Sequence, residues 1–522
     1  MDGPTAQSPL NLRRQRDPRV FGVDRQSLLK AFFGGNAIVA VIVLLLITFF
    51  LFREGLSFFP QYREDMELYR RSGMEYASLV KQEHDRFNEL LGQLVDIRKR
   101  QIRQLESEGK TREEIAALTA PMQAYFYDFS DLAIPLRDYQ IAVRDLAAET
   151  YKQARMDAEQ HRIDTTHTAD QHAHVIDYDG TITQIKATFP QLTALNNQLE
   201  SDMLVVLRKF PPLEDPSLQP LVKAFRKDAI AFTAGLPHYG ATLAEWEPER
   251  SVGLWEALKT FLFGEQWIVN NNGHSLFGLL PLLTGSLLVT GIAIVLALPF
   301  GVGAAIYTNQ MARRGEAGFI KPCIEFITAI PSVVIGFFGI AVFGTLVREL
   351  SGTPWLDWLP GFPIAERLNA FTAGCLLALM AIPTIFTLSE DALSRVPRVY
   401  TESSLALGAT RFQTTMRIIV PTAVSGIVSA VLLGIGRVIG ETMVVLLCAG
   451  NRIRIPDFSE GLATPFQPVH TMTGIIAQEM GEVAQGGIHY RALFCVGVVL
   501  FLLTLLINFA AQKIFRHTRV GE

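Results

Sequence analysis

Long stretches without a charged residue constrain this chain more than any other feature of its sequence. Five of them contain 22, 33, 22, 19 and 21 residues, and they lie at 31–52, 276–308, 368–389, 418–436 and 492–512. A helix needs about 20 predominantly apolar residues to cross a bilayer. The sequence therefore predicts a polytopic membrane protein and excludes an ordinary soluble fold.

Composition excludes two further classes of protein. The 522 residues carry a net charge of −4 and contain no basic tract, which argues against nucleic acid as a partner. Hydrophobic residues make up 49% of the chain and aromatic residues 10%, too much for an intrinsically disordered protein.

The apolar pattern predicts six membrane helices. The first follows six basic residues, but its apolar core is too long for a signal peptide and no small-x-small cleavage site follows it. We therefore expect it to remain as an anchor. The six predicted spans lie at 32–52, 278–308, 324–347, 369–389, 418–449 and 492–512.

The distribution of basic residues predicts the orientation of these spans. The N-terminal arm, two alternate short loops and the C-terminal tail carry sixteen Lys and Arg, whereas the opposite short loops carry four. Loops rich in Lys and Arg stay in the cytoplasm. We therefore expect both termini to be cytoplasmic and residues 53–275 to lie outside.

The long segment between the first two spans has helical periodicity. Phe87, Leu90, Leu94 and Ile97 recur at the spacing of one helix face. Thr111, with a glutamate three residues later, forms the pattern of an N-terminal capping box. All four cysteines lie in apolar blocks elsewhere, so disulfides cannot hold this segment together. We predict a helical hairpin or a small bundle.

Two motifs of this segment resemble a metal site and a phosphate-binding loop, but each lacks residues at the spacing that such a site needs. His161, His167, His172 and His174 lie among acidic residues, yet no two histidines are four apart, and we expect a polar loop and no metal. A run ending in Gly109-Lys110-Thr111 lacks the first glycine of a phosphate-binding loop. No nucleophile and base are arranged for catalysis, so we expect a protein that is not an enzyme.

Two charges interrupt the fifth predicted span. Arg437 and Glu441 lie in an apolar run, where an arginine costs about 2.5–3.5 kcal/mol on insertion scales. They are four residues apart, so on a continuous helix they share a face and can pair. Gly436 and Gly440 form a small-xxx-small step that allows close helix approach. The pair either belongs to an anion pathway, because a guanidinium binds oxyanions, or fixes helix packing.

The predicted cytoplasmic loop before the fifth span carries a second pattern. Locally it reads as a short helix, a glycine turn and a second helix that enters the membrane, which an ordinary connection could also have. It resembles the segment E-A-A, three residues, G, nine residues, I-x-L-P of ABC-importer permeases. The matching residues are Glu402, Gly408, Ile418 and Pro421, while Ser403 and Ser404 replace the alanines and Val420 replaces leucine. In that family the segment is the coupling helix that docks on an ATPase.

Further stretches resemble the PstC-type permeases of phosphate-specific ABC importers. The Gly-Asn pair at 450–451 favours this type over the sister permease, PstA. The resemblance covers about 264–515 and part of the first span, and it is carried by 330–339, 408–411, 425–427, 436–443, 449–451, 476–482 and 489–494.

The resemblance implies an all-α fold of the type I ABC-importer permease class. It has six membrane helices and a helical extracytoplasmic domain inserted between the first and second. The implied division is a cytoplasmic arm (1–31), a first membrane helix (32–59), the inserted domain (60–253), a permease core (254–515) with a coupling loop (390–420), and a cytoplasmic tail (516–522). Nothing in the resemblance assigns a role to the inserted domain.

The same resemblance implies a subunit of an ATP-driven phosphate importer in the inner membrane. It implies Arg437, Glu441 and Thr442 on the substrate pathway, and Glu402, Ser403, Ser404, Gly408 and Pro421 in ATPase coupling. The chain itself would bind no cofactor, because ATP and Mg²⁺ belong to the partner ATPase. The implied partners are a PstA-type permease, a PstB-type ATPase dimer, a periplasmic PstS-type phosphate-binding protein, phosphate and membrane lipid.

Two alternative functions remain open from the sequence. A permease for another oxyanion would share every motif except perhaps the pathway residues. A membrane sensor or scaffold would use the extracytoplasmic domain as its input, although no cytoplasmic output module follows the last span in this sequence.

Overall fold

A computed structural model describes residues 19–20, 23–163, 176–213, 215–216, 218–269, 275–356 and 361–517. The described chain is 81% helical, and the strands in it are only four, of two residues each. They form two antiparallel pairs: β1 (Arg19–Val20) with β2 (Val23–Asp24), and β3 (Trp267–Ile268) with β4 (Leu276–Phe277). The predicted all-α class is confirmed.

Nine helices precede the second membrane span. The first, α1, is the predicted anchor, and the other eight form the segment between the first two membrane helices. They are α1 (Arg25–Leu56), α2 (Phe58–Arg71), α3 (Met74–Ser107), α4 (Arg112–Asp131), α5 (Ile134–Ile163), α6 (Tyr178–Ala187), α7 (Phe189–Arg208), α8 (Gln219–Ala244) and α9 (Leu254–Phe263).

Eleven helices form the rest of the described chain. Single turns of π-helix at 307–311, 339–343 and 415–419 join some of them. The helices are α10 (Leu280–Ile306), α11 (Arg314–Phe326), α12 (Ser332–Phe338), α13 (Gly344–Ser351), α14 (Ala370–Ser394), α15 (Arg398–Ala406), α16 (Arg411–Thr414), α17 (Val420–Ile439), α18 (Met443–Cys448), α19 (Met472–Glu479) and α20 (Ile488–His517).

Six helical stretches are long and apolar enough to cross a membrane, which confirms the predicted number of spans. Three differ clearly in their bounds from the prediction. The first continues through α2 to Arg71 and not only to 52. The third begins at Ser332 and not near 324, because the extended backbone at Ile330 and Pro331 separates it from α11. The fifth runs from Arg411 to Ile439 and not from 418 to 449. The six stretches are Leu29–Arg71, Leu280–Met311, Ser332–Ser351, Ala370–Ser394, Arg411–Ile439 and Ile488–Ile514.

The segment between the first two spans has its own hydrophobic core, which α3, α4, α5, α7 and α8 form together. The predicted face of α3 is confirmed, since Phe87, Leu90, Leu94 and Ile97 are all buried. Phe87 stacks on Phe129 at a centroid distance of 5.0 Å. The predicted capping box is also confirmed: Thr111 accepts a hydrogen bond from the backbone N–H of Glu114 at the start of α4. This apolar core, with its aromatic pairs, stabilises the segment, which contains no cysteine.

A second cluster joins the base of this segment to the membrane helices. Phe58 on α2 stacks on Tyr62 at 4.8 Å and lies 5.1 Å from Phe261 on α9, centroid to centroid. The cluster continues through Phe277 to the first turns of α20. Buried Arg70 holds the same two helices together, because its guanidinium bonds to Glu75 and Glu256. The α2 helix is therefore packed as part of the membrane core.

The centre of the membrane region is the contact between α10 and α14. Small residues, including Ala293, Ala297, Ala373 and Ala381, are buried where the helices approach. Gly374 lies so close to α10 that an added Cβ would be 2.5 Å from the Ile292 side chain. Interfaces of small residues are typical of membrane helices. This pair supports α17, which carries the candidate pathway residue Arg437.

Candidate functional site

The fifth membrane helix is interrupted at its end. The α17 helix ends at Ile439, Gly440 caps it, and a new short helix, α18, begins at Met443. Irregular backbone at membrane depth is tolerated where it is buried in protein or lines a water-filled cavity. The interruption therefore marks the part of the membrane region where a polar route is physically allowed.

The predicted pairing of Arg437 with Glu441 is wrong. The Arg437 guanidinium donates a hydrogen bond of 2.8 Å to the Oγ1 atom of Thr384 on α14. The Glu441 carboxylate instead accepts a 3.2 Å hydrogen bond from the backbone N–H of Met443. The two residues would share a face only on a continuous helix, and the helix ends between them.

Each of the two charges lies at a helix end of favourable polarity. Arg437 is in the last turn of α17, where the helix dipole stabilises a cation. Glu441 lies just before α18, where unpaired backbone N–H groups stabilise an anion. Among the described residues, no carboxylate forms an ion pair with Arg437, so its charge stays available for an anion.

Arg437 lies on a face of α17 that this chain leaves uncovered. Its side chain is exposed, as is Leu433 one turn earlier, while Gly434 and Val438 on the other face are buried. Gly436 packs toward α20, where an added Cβ would be 3.3 Å from the Oδ1 atom of Asn508. Facing lipid, a guanidinium would cost about 2.5–3.5 kcal/mol. The exposed face must therefore meet water or a second polypeptide.

Three threonines bond to the interruption or to the arginine beside it. Thr442 donates a 3.4 Å hydrogen bond to the carbonyl oxygen of Gly440. Thr473, at the start of α19, donates one of 2.8 Å to the carbonyl oxygen of Glu441. Thr384 and Thr473 were not predicted as site residues. A threonine inside an apolar span was the available signal for Thr384, whereas Thr473 is brought here only by tertiary structure.

The backbone after α18 explains the Gly-Asn pair noted in the sequence. Gly450 has φ of 90° and Asn451 has φ of 50°, in the left-handed region that disfavours most side chains. A Cβ on Gly450 would also lie 2.6 Å from the carbonyl oxygen of Leu368. Asn451 donates a 2.8 Å hydrogen bond to the Leu446 carbonyl oxygen, closing the short helix. Glycine is therefore required at 450 by both conformation and space.

The predicted coupling segment forms two short helices joined by a glycine turn. Gly408 has φ of 84°, which only glycine adopts without strain. Thr410 then caps α16 by accepting a hydrogen bond from the N–H of Gln413. The buried Ser404 hydroxyl lies 2.9 Å from the Thr414 hydroxyl, so it fixes α15 against the start of the fifth span. The serine in place of alanine therefore has a structural role.

The other predicted coupling residues are distributed around this pair of helices. Glu402 and Ser403 are exposed on α15, while Pro421 lies in the first turn of α17. Several large apolar side chains of the same segment are also exposed, and Leu407 in the turn is 89% exposed. The others are Val399, Tyr400, Leu405, Phe412 and Met416. So many exposed large apolar side chains in one short segment are typical of a protein interface.

The two motifs that resemble metal and nucleotide sites do not form such sites where the structure describes them. Among the residues that the structure describes, no group of three His, Cys, Asp or Glu is placed to hold a metal ion. The His161 to His174 cluster lies outside the described side chains. Gly109 terminates α3 with φ of 76°, and Thr111 caps α4, so this motif serves to join two helices.

Comparison with known proteins identifies relatives for the membrane region. Residues 297–520 match the family model described as "Binding-protein-dependent transport system inner membrane component". The chain is 33% identical over 270 residues to the phosphate transport system permease protein PstC of Haemophilus influenzae, covering 49% of this chain and 82% of that protein. It is 30% identical over 264 residues to PstC of Pasteurella multocida, covering 49% of this chain and 80% of that protein.

The similarity extends beyond those two proteins. PstC 1 of Mycobacterium tuberculosis is 30% identical over 300 residues, covering 54% of this chain and 82% of that protein. A solved structure of the MetNI methionine ABC transporter aligns with a TM-score of 0.34 and 20% identity, covering 46% of this chain and 94% of that chain. With so low a TM-score, the assignment to a family rests on the sequence matches.

Proposed function

The chain belongs to the PstC family of phosphate transport system permeases, and from this premise we propose how its residues conduct the anion and couple to ATP. It is a multi-pass membrane permease subunit of a phosphate ABC importer. The family accounts for about half of the chain, so the segment between α1 and α9 needs a separate account.

Arg437 is the proposed anion contact of the pathway. The single observation that supports this best is an exposed arginine beside a break in a membrane helix, with no carboxylate partner in the part of the chain that the structure describes. Its guanidinium can donate paired hydrogen bonds to phosphate oxygens. Thr384 holds the side chain, while Glu441 and Thr442 shape the turn beside it. One arginine per subunit allows passage, since tighter coordination would trap the ion.

A second permease of the PstA type would complete the pathway. The uncovered face of α17, with Arg437 and Leu433, is the surface it would cover. Phosphate would reach the outer side from a periplasmic PstS-type binding protein. We propose cytoplasmic termini because of the excess of Lys and Arg in the loops on that side. The segment from α3 to α8 then lies in the periplasm.

The segment from α15 to α16 is the proposed site of ATPase coupling. A PstB-type ATPase dimer would bind ATP and Mg²⁺, and this chain would bind neither. Leu407 and Phe412 would enter a groove of the ATPase, and Glu402 and Ser403 would border the contact. Gly408 fixes the turn, Ser404 fixes α15 to the fifth span, and Pro421 starts α17, so movement of the ATPase reaches Arg437 along one helix. The chain thus transports without catalysing hydrolysis itself.

Purification with partners and a transport assay test this function together. We expect the full chain, expressed with its genomic neighbours, to co-purify with an ATPase and a second six-span protein. Vesicles containing that complex and a binding protein should accumulate radiolabelled phosphate. They should do so only when ATP is present on the side of the membrane where the ATPase is bound. Unlabelled phosphate should compete with this uptake. If sulfate or molybdate inhibits the uptake more strongly than unlabelled phosphate, the chain is a permease for another oxyanion.

Removal of the segment between the first two spans is expected to leave an inserted permease. Because α2 and α9 pack with α20, the deletion should spare them and remove residues 74–246, with a short glycine-serine linker in their place. We expect the shortened chain to insert and to co-purify with the second permease. A deletion that also removes α2 should fail, because Phe58 and Tyr62 are buried in the membrane core. Loss of pairing in the first variant would instead make the segment an assembly element.

A further inference from the structure

A groove between α3 and α8 contains a buried carboxyl group that has no hydrogen-bond partner among the described residues. Glu83 is only 2% exposed, and neither of its carboxylate oxygens has a hydrogen-bond partner in the described structure. A buried polar group without a hydrogen-bond partner is costly, and native proteins rarely retain one without a reason. Glu83 lines a cavity of about 250 Å³, which is large enough for a small organic molecule.

The other groups of the groove define what it could bind. Its floor is apolar, with Leu90, Phe232 and Leu236. Gln93 adds a third buried oxygen without a partner, Oε1, while its amide N–H donates a 2.9 Å hydrogen bond to Asp228. Among the described residues, the unpartnered side-chain atoms of the groove are thus all oxygens, and with Glu83 ionised all of them can accept hydrogen bonds from a ligand.

The wall formed by α8 leaves space for such a ligand. A Cβ built on Gly235 meets no atom within 4 Å. The exposed rim carries Glu89, Asp228 and Arg86, so acidic groups outnumber basic ones. A narrow groove with an apolar floor and a buried acid fits a cation on a short carbon chain. Since no group of three acids or histidines can hold a metal in the described residues, a metal cation fits less well.

We propose that the groove between α3 and α8 binds a small primary ammonium ion, with the Glu83 carboxylate as its ion-pair partner. An ammonium group has three N–H donors and no acceptor, which matches the unpaired oxygens. Its alkyl chain would lie on Leu90 and Phe232. This inference is independent of phosphate transport and would give the segment a ligand of its own.

The protonation of Glu83 gives the proposal a measurable signature. Burial raises the pKa of Glu83 to about 8, and the charge of Arg86 opposes the shift. Tyr76 on α3 and Tyr239 on α8 also interact with it, and Tyr139 on α5 bonds to Tyr76. The empty groove therefore holds a neutral carboxyl group at pH 7. On binding, the proton leaves for solvent and the ammonium, still protonated, donates its N–H bonds to the carboxylate.

Calorimetric titration of the full chain in lipid nanodiscs with n-butylammonium tests the proposal. We expect release of roughly one proton per ligand near pH 7, measured in buffers of different ionisation enthalpy. Affinity should fall about tenfold for each pH unit below 8, because the proton competes for Glu83. Tetramethylammonium has the charge without N–H donors and should bind at least about tenfold more weakly.

Variants separate this site from non-specific binding. Glu83→Gln should lower the affinity at least about tenfold and abolish proton release. Gly235→Leu should block the groove with the same loss of affinity, in case the first variant affects folding. Asp96→Asn, on an exposed position of the same helix outside the groove, should change neither property. Absence of n-butylammonium binding, unchanged binding by Glu83→Gln, or tighter binding of Ca²⁺ or Na⁺ would overturn the proposal.

Discussion

Replacing Arg437 with alanine is expected to lower phosphate uptake about 10- to 100-fold in vesicles that contain the assembled importer. A hydrogen bond to a charged group contributes about 1.5–3 kcal/mol, and each 1.4 kcal/mol is a factor of ten. Because the side chain is exposed and bonds only to Thr384 among the described residues, its loss should leave the fold intact. Initial rates of radiolabelled phosphate uptake measure the effect.

Two further variants distinguish an anion contact from a packing role. Arg437→Lys keeps the charge but loses the paired donors, so it should retain partial uptake. Thr384→Val removes only the hydrogen bond that holds the guanidinium, and should reduce uptake less than Arg437→Ala. Full uptake by Arg437→Ala, or failure of that variant to co-purify with the second permease, would contradict the anion role.

Replacing Leu407 with aspartate is expected to uncouple ATP hydrolysis from transport. This side chain is 89% exposed in the turn after α15, and its burial in a groove of the ATPase would contribute about 1.5–3 kcal/mol. Aspartate would oppose that burial. Phosphate uptake should fall about 10- to 100-fold, while the ATPase keeps its basal hydrolysis. The ratio of phosphate transported to ATP hydrolysed measures the uncoupling.

A matched substitution controls for the new surface charge. Leu118 on α4 is 50% exposed and far along the chain from the coupling segment. Leu118→Asp should therefore leave the ratio unchanged. Glu402→Lys, which reverses a charge beside the same contact, should lower the ratio as Leu407→Asp does. A normal ratio in both coupling variants would place the ATPase elsewhere.

The features that follow from local sequence were predictable. Six apolar stretches gave the six spans, because crossing a bilayer requires length and apolarity. The faces of α3 and the capping box at Thr111 follow from helical spacing and from the hydrogen bonds that a helix start needs. The fold class was predictable for the same reason.

The interruption of the fifth span could not be predicted in the same way. Apart from Arg437 and Glu441 its sequence stays uncharged to Ala449, and no proline marks the break at Gly440. Tertiary contacts decide it, since Thr473 on a later helix bonds to the Glu441 carbonyl oxygen. Because the helix ends between Arg437 and Glu441, the ion pair expected between them does not form. Glu83, in contrast, shares the buried face of Phe87 and Leu90, so an acid on an apolar stripe was a signal in the sequence.

The most direct test of the account is the accessibility of position 437 to water and anion. An Arg437→Cys chain, with the four natural cysteines replaced, would be assembled with its partners and treated with a charged, membrane-impermeant thiol reagent. The account predicts that position 437 is labelled, and that phosphate, but not chloride at equal ionic strength, slows the labelling. A cysteine that stays unlabelled in the presence and absence of ATP, or whose labelling ignores phosphate, would contradict an anion route past Arg437.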